Sequence, residues 1–373
     1  MAEGPTPTPT RTQRLVRWAA SLLLLGAGTT AWASPGYYAQ AVGGHLELMR
    51  AARPVAEWVQ DPQTPEALRQ RLELSQRMRQ FGSDELLLPD NASYRRYADL
   101  QRSAAVWNVV AAPPDALVAK TWCYPVIGCA SYRGYFSEAE ARAHAQALQA
   151  EGLEAVVQPV PAYSTLGWLN WAGGDPLLNT FINHSQGDLA RLIFHELAHQ
   201  KIYVKDDSSF NEAFATAVER LGGQRWLSLH ASEAVRQTDA AFQLRREAFR
   251  ALVRQTRGEL AAIHERKRSD PSAGESYVAM KTEAMQRFRD RYAVLRDGWG
   301  GDPAAYRRLD AWVAQANNAS FVAQATYEEL VPGFLRLFER VGGHSAQGWQ
   351  QFYDAVNRLA NQTRDERRQA LKE

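Results

Sequence analysis

The sequence predicts a mainly α fold of the α+β kind, and three observations carry that reading. Apolar residues recur at three- and four-residue steps over most of the chain. One central stretch departs from this and turns to β-forming residues. With 45% apolar content in 373 residues, there is enough material for one large core or two modest ones.

Four regions follow in order. Residues 1–33 are expected to be a signal peptide: Arg11, Arg14 and Arg17 precede the apolar run "WAASLLLLGAG", and "AWA" places small residues where a signal peptidase reads. The run is shorter than the ~20 residues of a spanning helix, so an uncleaved membrane anchor is the lesser alternative. Residues 34–112 form an N-terminal helical region, in which "QTPEALRQRLELSQRMRQFG" keeps helical spacing up to Gly82 and suggests a long helical hairpin. Residues 113–223 hold a small α/β element and the motif-bearing core. There "FSEAEARAHAQALQAEG" opens on a capping box, Ser137 with Glu140, and ends at Gly152. The following "LEAVVQPVPAYSTLGWLNW" is β-rich, with "YSTLGW" its most strand-like piece. Residues 224–373 are a long, charged, helical C-terminal part.

Charge narrows the function classes. Lys and Arg number 43 against 41 Asp and Glu, and the excess lies wholly in the leader. No basic field invites nucleic acid. Both cysteines, Cys123 and Cys129, flank a short segment containing Pro125 and Gly128. In an oxidising compartment this reads as a disulfide closing a small loop. Their spacing fits neither a redox pair nor a zinc knuckle.

The chemistry sits in "FHELAHQKIYVKDDSSFNEAFATAVE", residues 194–219. Leu189, Leu192, Ile193 and Leu197 keep helical spacing, and Asn183, Ser185 or Asp188 can cap the start. His195 and His199 therefore leave one helix face together, about 6 Å apart, near enough for both imidazoles to reach one zinc at ~2.0 to 2.1 Å. Glu196, one position on, is placed to take a proton from water on that metal. A third protein ligand is needed, and Glu212 is the first choice, on a second helix entered through "DDSS" and closed by Gly222 and Gly223. Its rivals are Glu219, two turns along the same face, and Asp206 and Asp207. A capping box of Ser209 with Glu212 would make Glu212 merely structural.

"HELAHQ" followed by "NEAFATAVE" resembles the gluzincin metallopeptidases and, distantly, the aminopeptidase N family. That resemblance implies a gluzincin-like zinc helix pair, with His195, His199 and Glu212 as ligands of one Zn2+ and Glu196 as base. The family spacing from second histidine to third ligand is several residues longer, and by spacing alone Glu219 would nearly fit. Gluzincins commonly add a hydroxyl or imidazole donor for the oxyanion from a later helix. Tyr327 is the candidate here, where Pro332 is expected to bend its helix toward the site, with Tyr277 and Tyr292 as alternatives.

A closer resemblance spans almost the whole mature chain. "GYYAQAVGGHLELM", "LPDNASYRRYADL", "VWNVVAAP", "YPVIGCASYRGYF", "AYSTLGW", "DPLLNT" and "YEELVPGFLRLF" are similar to blocks of the Putative aminopeptidase family of exported proteobacterial proteins. Many members carry a lipoprotein cysteine just before the "GYY" block. None stands there in this chain, so a soluble periplasmic form is expected, membrane-bound only if the N-terminal segment stays uncleaved. The implied activity is zinc-dependent hydrolysis of peptide bonds, as an aminopeptidase acting on peptide substrates. The alternatives are a zinc amidase or endopeptidase acting on cell-wall or other peptides, and a non-catalytic binding protein with a relic site. The acidic "GxMEN" strand with which the aminopeptidase N family holds the substrate's amino group is missing, and "AYSTLGW", in a comparable place, brings no carboxylate.

Overall fold

The computed structural model describes residues 35–124, 128–162, 164–165, 170, 173–270, 272, 274–325 and 330–372. The leader, Tyr327 and most of "AYSTLGW" lie outside them. Among the described residues no helix is long and apolar enough to cross a membrane.

The fold is mainly α with small sheets. It begins with α1 (Pro35–Ala51), β1 (Arg53–Pro54), α2 (Val55–Gln60) and α3 (Glu66–Asp84). Pro65 precedes α3, where a fixed φ suits a helix entry, and the helix buries Leu72, Met78 and Phe81. In place of a long hairpin, the chain then turns into strands β2 (Arg96–Ala98) and β3 (Val106–Ala112). "VWNVVAA" hid this strand because it is covered on both faces, so it lacks the polar–apolar alternation that betrays a strand.

Next come β4 (Trp122–Tyr124), β5 (Gly128–Ala130), β6 (Arg133–Tyr135), α4 (Glu138–Ala150), β7 (Glu154–Val160) and β8 (Leu177–Leu178). α4 starts as expected, Ser137 Oγ accepting from the Glu140 amide at 3.3 Å, and ends before Gly152 at φ 85°. β3 is the centre of an antiparallel sheet ordered β6-β3-β7, with Asn108 opposite Gln158 and Val109 opposite Val157. One face, carrying Trp107, Val109 and Ala111, packs on α4; the other, carrying Val110 and Ala112, meets a helix from the C-terminal part. β4 and β5 form a hairpin closed by the Cys123–Cys129 disulfide. β1, β2 and β8 make a third small sheet.

The motif helix is α5 (Gln186–Lys201), capped by Ser185, whose Oγ accepts from the Asp188 amide. It packs on α6 (Ser208–His230). One rival reading of α6 falls and one expectation about it is corrected. Its N-cap is Asp207, which accepts from the Phe210 amide, so Ser209 and Glu212 do not form a capping box. Nor do Gly222 and Gly223 end it: the helix continues to His230 because these glycines serve packing. A Cβ on Gly222 would lie 2.6 Å from Leu86 Cδ1 and 3.0 Å from Phe194, and one on Gly223 would lie 2.6 Å from Arg191 Cγ.

The C-terminal part contains α7 (Glu233–Ser269), α8 (Gly274–Asp297), α9 (Arg307–Gln315), α10 (Asn318–Ala325), α11 (Val331–Arg340), α12 (Ala346–Ala360) and α13 (Arg364–Lys372). α7 to α10 share a core of their own, around Leu260, Phe288 and Phe321. α10 also covers the second face of β3 through Ala319, Val322 and Ala323. α11 and α12 join the main core beside α6 through Phe334, Trp349 and Tyr353. Pro332 does not bend a helix but stands in the first turn of α11, a position that needs no amide donor.

The loop between α5 and α6 is clamped from two sides. Asn211 brackets Val204, accepting from its amide at 2.8 Å and donating to its carbonyl at 2.7 Å. Asp207 receives Arg367 of α13 through two bonds of 3.0 and 2.8 Å, both residues being buried. Arg367→Met would leave the buried Asp207 carboxylate with only the more distant Arg364 Nε, at 3.9 Å, as a cationic partner. Thermal and denaturant unfolding should show a loss of about 3 kcal/mol, and wild-type stability would refute the clamp.

Candidate metal centre

α5 and α6 place their polar groups inside an apolar contact. Phe194, next to His195, is fully buried and packs against Gly82 of α3 and Gly222 of α6, which fixes how α5 is rotated. With that rotation His195 and His199 face Glu212 near the start of α6, and Glu196 lies close enough for its charge to act on His195. His199 is buried, and His195, Glu196, Glu212 and Glu219 are half-buried.

The three nearest donors form a triangle. His195 Nε2 and His199 Nε2 are 3.1 Å apart, His195 Nε2 and Glu212 Oε2 3.4 Å, and His199 Nε2 and Glu212 Oε2 3.6 Å. Four donors about 2.0 to 2.1 Å from a tetrahedral ion stand roughly 3.3 Å from one another, so these separations fit one. His195, His199 and Glu212 form a cluster that could hold a metal. Asp206 and Asp207 are occupied elsewhere, Asp206 accepting from the Cys129 amide at 2.8 Å and Asp207 held by Arg367.

Glu219 takes a different place. Its Oε2 lies 2.8 Å from His195 Nδ1, the nitrogen turned away from the triangle. When the ring carries a single proton, as a metal ligand must, a carboxylate there makes Nδ1 the donor and leaves the Nε2 lone pair facing His199 and Glu212. Burial disfavours the charges of His195, Glu212 and Glu219, but their mutual bonds prevail. The His195 pKa is raised well above its ordinary value, with Glu212 and Glu219 bonded to it and Glu196 adding its charge. The pKa values of Glu212 and Glu219 are lowered, the first chiefly by His199 and the second by its bond to His195. The pocket is thus rich in negative charge and would welcome a cation.

Two side chains near Glu196 escaped the sequence reading. Tyr132, after the disulfide hairpin, lines a cavity that also touches Glu212; burial first, then the charges of Glu212 and Glu196, holds its proton firmly. Nothing in "ASYRGYF" distinguishes this tyrosine from its neighbours. Asp175, before β8, is buried at 1% exposure. It accepts from the Thr165 amide and hydroxyl at 3.0 and 2.7 Å and from Gln200 Nε2 at 3.3 Å, tying residues 164–165 to the C-terminal end of α5. Tyr277 and Tyr292 do not join the site: Tyr277 donates to the Pro114 carbonyl and Tyr292 to Asp310, both within the α7–α10 core.

The molecule is a mainly helical protein with a two-histidine, one-glutamate cluster on adjacent helices. It belongs to the Putative aminopeptidase family, whose family model matches residues 36–371. No curated protein and no solved structure showed a match to the chain.

Asp175 yields a pH prediction. Burial, reinforced by the nearby Glu196 charge, pushes its pKa from 3.8 up to about 6 against the bonds from Thr165. The folded state holds this proton more tightly than the unfolded chain does. Its contribution is therefore fully present below pH 3.8 and is lost as pH rises through about 6. The difference in unfolding free energy between wild type and Asp175→Asn should shift by roughly 2 to 3 kcal/mol across that window, at the wild type's expense as pH rises. A difference that stays flat with pH would mean that Asp175 titrates normally.

Proposed function

We propose that the protein is an exported zinc metallopeptidase that hydrolyses peptide bonds, as an aminopeptidase. The single observation that carries this reading is the donor triangle of His195, His199 and Glu212 with Glu196 beside it. Two imidazoles and one carboxylate suit zinc, and a fourth position left for water or substrate is the catalytic pattern. When bound, zinc would acidify a water and polarise the substrate carbonyl.

The chain's own groups supply the rest. Glu219 keeps His195 in the tautomer that offers Nε2. Glu196 accepts a proton from the attacking water and returns it to the leaving amine, which balances the hydrolysis. Tyr327, which lies outside the described residues, remains the sequence's candidate for the oxyanion donor, and Tyr132, which shares a cavity with Glu212, is a second candidate. The periplasm is the proposed location, supported by the signal-like leader and the Cys123–Cys129 disulfide.

Metal analysis of purified variants tests the ligand set. His195→Ala, His199→Ala and Glu212→Ala should each lose zinc, whereas Glu219→Gln should retain it with affinity reduced about 10- to 100-fold. Full occupancy in Glu212→Ala together with loss in Glu219→Gln would exchange their roles.

Glu196→Gln keeps the shape of the side chain and removes its basicity. Peptide turnover should fall about 10²- to 10⁴-fold while zinc content stays unchanged. Undiminished turnover would exclude Glu196 as the base.

A further inference from the structure

A small cavity lies between the start of α6 and the α10-facing side of the central sheet. Its volume is about 20 Å³, and Asn108, Ser131, Tyr132, Gln158, Ser208 and Glu212 supply its polar wall. Val110, Val322 and Ala323 supply the apolar part. Asn108 and Gln158 are directly opposed on β3 and β7, so their amides stand side by side on an otherwise apolar sheet face. Neither amide has a side-chain hydrogen-bond partner among the described residues, and the same is true of the Ser131 and Tyr132 hydroxyls. Glu212 directs Oε2 at both histidines, which leaves its other oxygen uncommitted.

We propose that this cavity receives the amino-terminal ammonium group of the substrate. The proposal rests on the aminopeptidase reading above and names the groups that hold the substrate's free amine. Three properties of the cavity support it. Its volume suits one water-sized polar group, which an ammonium is and a further residue is not. Its wall offers the Asn108 and Gln158 amides, the hydroxyl-bearing residues Ser131, Tyr132 and Ser208, and a carboxylate, with no lysine or arginine among the lining residues. An ammonium brings three donors and a charge, and needs such acceptors to offset desolvation. Finally, Glu212 belongs both to this wall and to the donor triangle. The carbonyl carbon of an amino-terminal residue is only about 2.5 Å from its nitrogen, the span of two backbone bonds. A substrate seated here therefore presents its first peptide bond to the metal cluster. The amide pair fills the role that the acidic "GxMEN" strand would have filled.

The test is digestion of a mixed-sequence peptide library, half of it N-acetylated, by zinc-containing wild type, Asn108→Leu and Gln158→Met. Wild type should cleave free-amine peptides from their amino ends and spare acetylated ones by at least 10-fold. Each variant should lose most of that discrimination, chiefly through a KM for free-amine peptides raised 5-fold or more. Gln158 lies on an edge strand, so its variant stands in if Asn108→Leu fails to fold. Unchanged discrimination in the folded variants overturns the amino-group site and leaves the aminopeptidase; equal cleavage of free and acetylated peptides by wild type overturns both and leaves a peptidase of another kind. No cleavage of either set, with zinc bound, removes the peptidase reading and this site with it.

Discussion

The close approach of α5 and α6 is the constraint on which the rest depends. Two consecutive helices must lie near enough for histidines on one and glutamates on the other to share a small volume, and bulky residues at the crossing would hold them apart. Gly222 and Gly223 remove that obstacle by receiving Phe194, Leu86 and the stem of Arg191. Phe194 is also pressed against Gly82 of α3, so three helices meet around the ring next to His195. The usual cost of glycine inside a helix, about 0.5 to 1 kcal/mol each, is accepted for contact that no Cβ would permit.

That approach creates an electrostatic problem. Glu196, Glu212 and Glu219 gather around two imidazoles at the edge of an apolar core, where unpaired charge is costly. Part of the solution is internal, since Glu219 bonds His195 Nδ1 and Glu212 faces both Nε2 atoms. The remaining negative charge is what a divalent cation would neutralise. Metal affinity and local stability are thus expected to be linked through these side chains.

The surrounding elements hold this arrangement from outside. Asn211, immediately before Glu212, fastens the connecting loop through Val204, and Arg367 reaches from the far end of the chain to Asp207. On another side the disulfide hairpin meets the same loop, the Cys129 amide donating to Asp206 while Gly128 lies against that carboxylate. The hairpin leads directly into Ser131 and Tyr132, so the elements that brace the loop also build the wall of the small cavity. The central sheet completes that wall because Asn108 and Gln158 share a face with Val110, which α10 covers.

The sequence by itself determined what lies within one element or within a few residues. Four-residue spacing put His195 and His199 on one helix face, Ser137 with Glu140 marked the start of α4, and the short separation of Cys123 and Cys129 marked a closed loop. Such features need only helix pitch, capping and chain geometry. Tertiary structure decided whatever required two elements to meet. Glu212 and Glu219 share a face of α6 two turns apart, and only the crossing of α5 over α6 sets one at Nε2 and the other at Nδ1 of His195. The same limit hid the role of Gly222 and Gly223, which looked like a helix end because their contacts come from residues distant in sequence. It hid β3, covered by α4 and by a helix two hundred residues later, and it hid Tyr132 and Asp175, whose surroundings are built by other segments. Local order follows from the chain's own stereochemistry; which side chains converge follows from packing between segments, and no short window of sequence contains it.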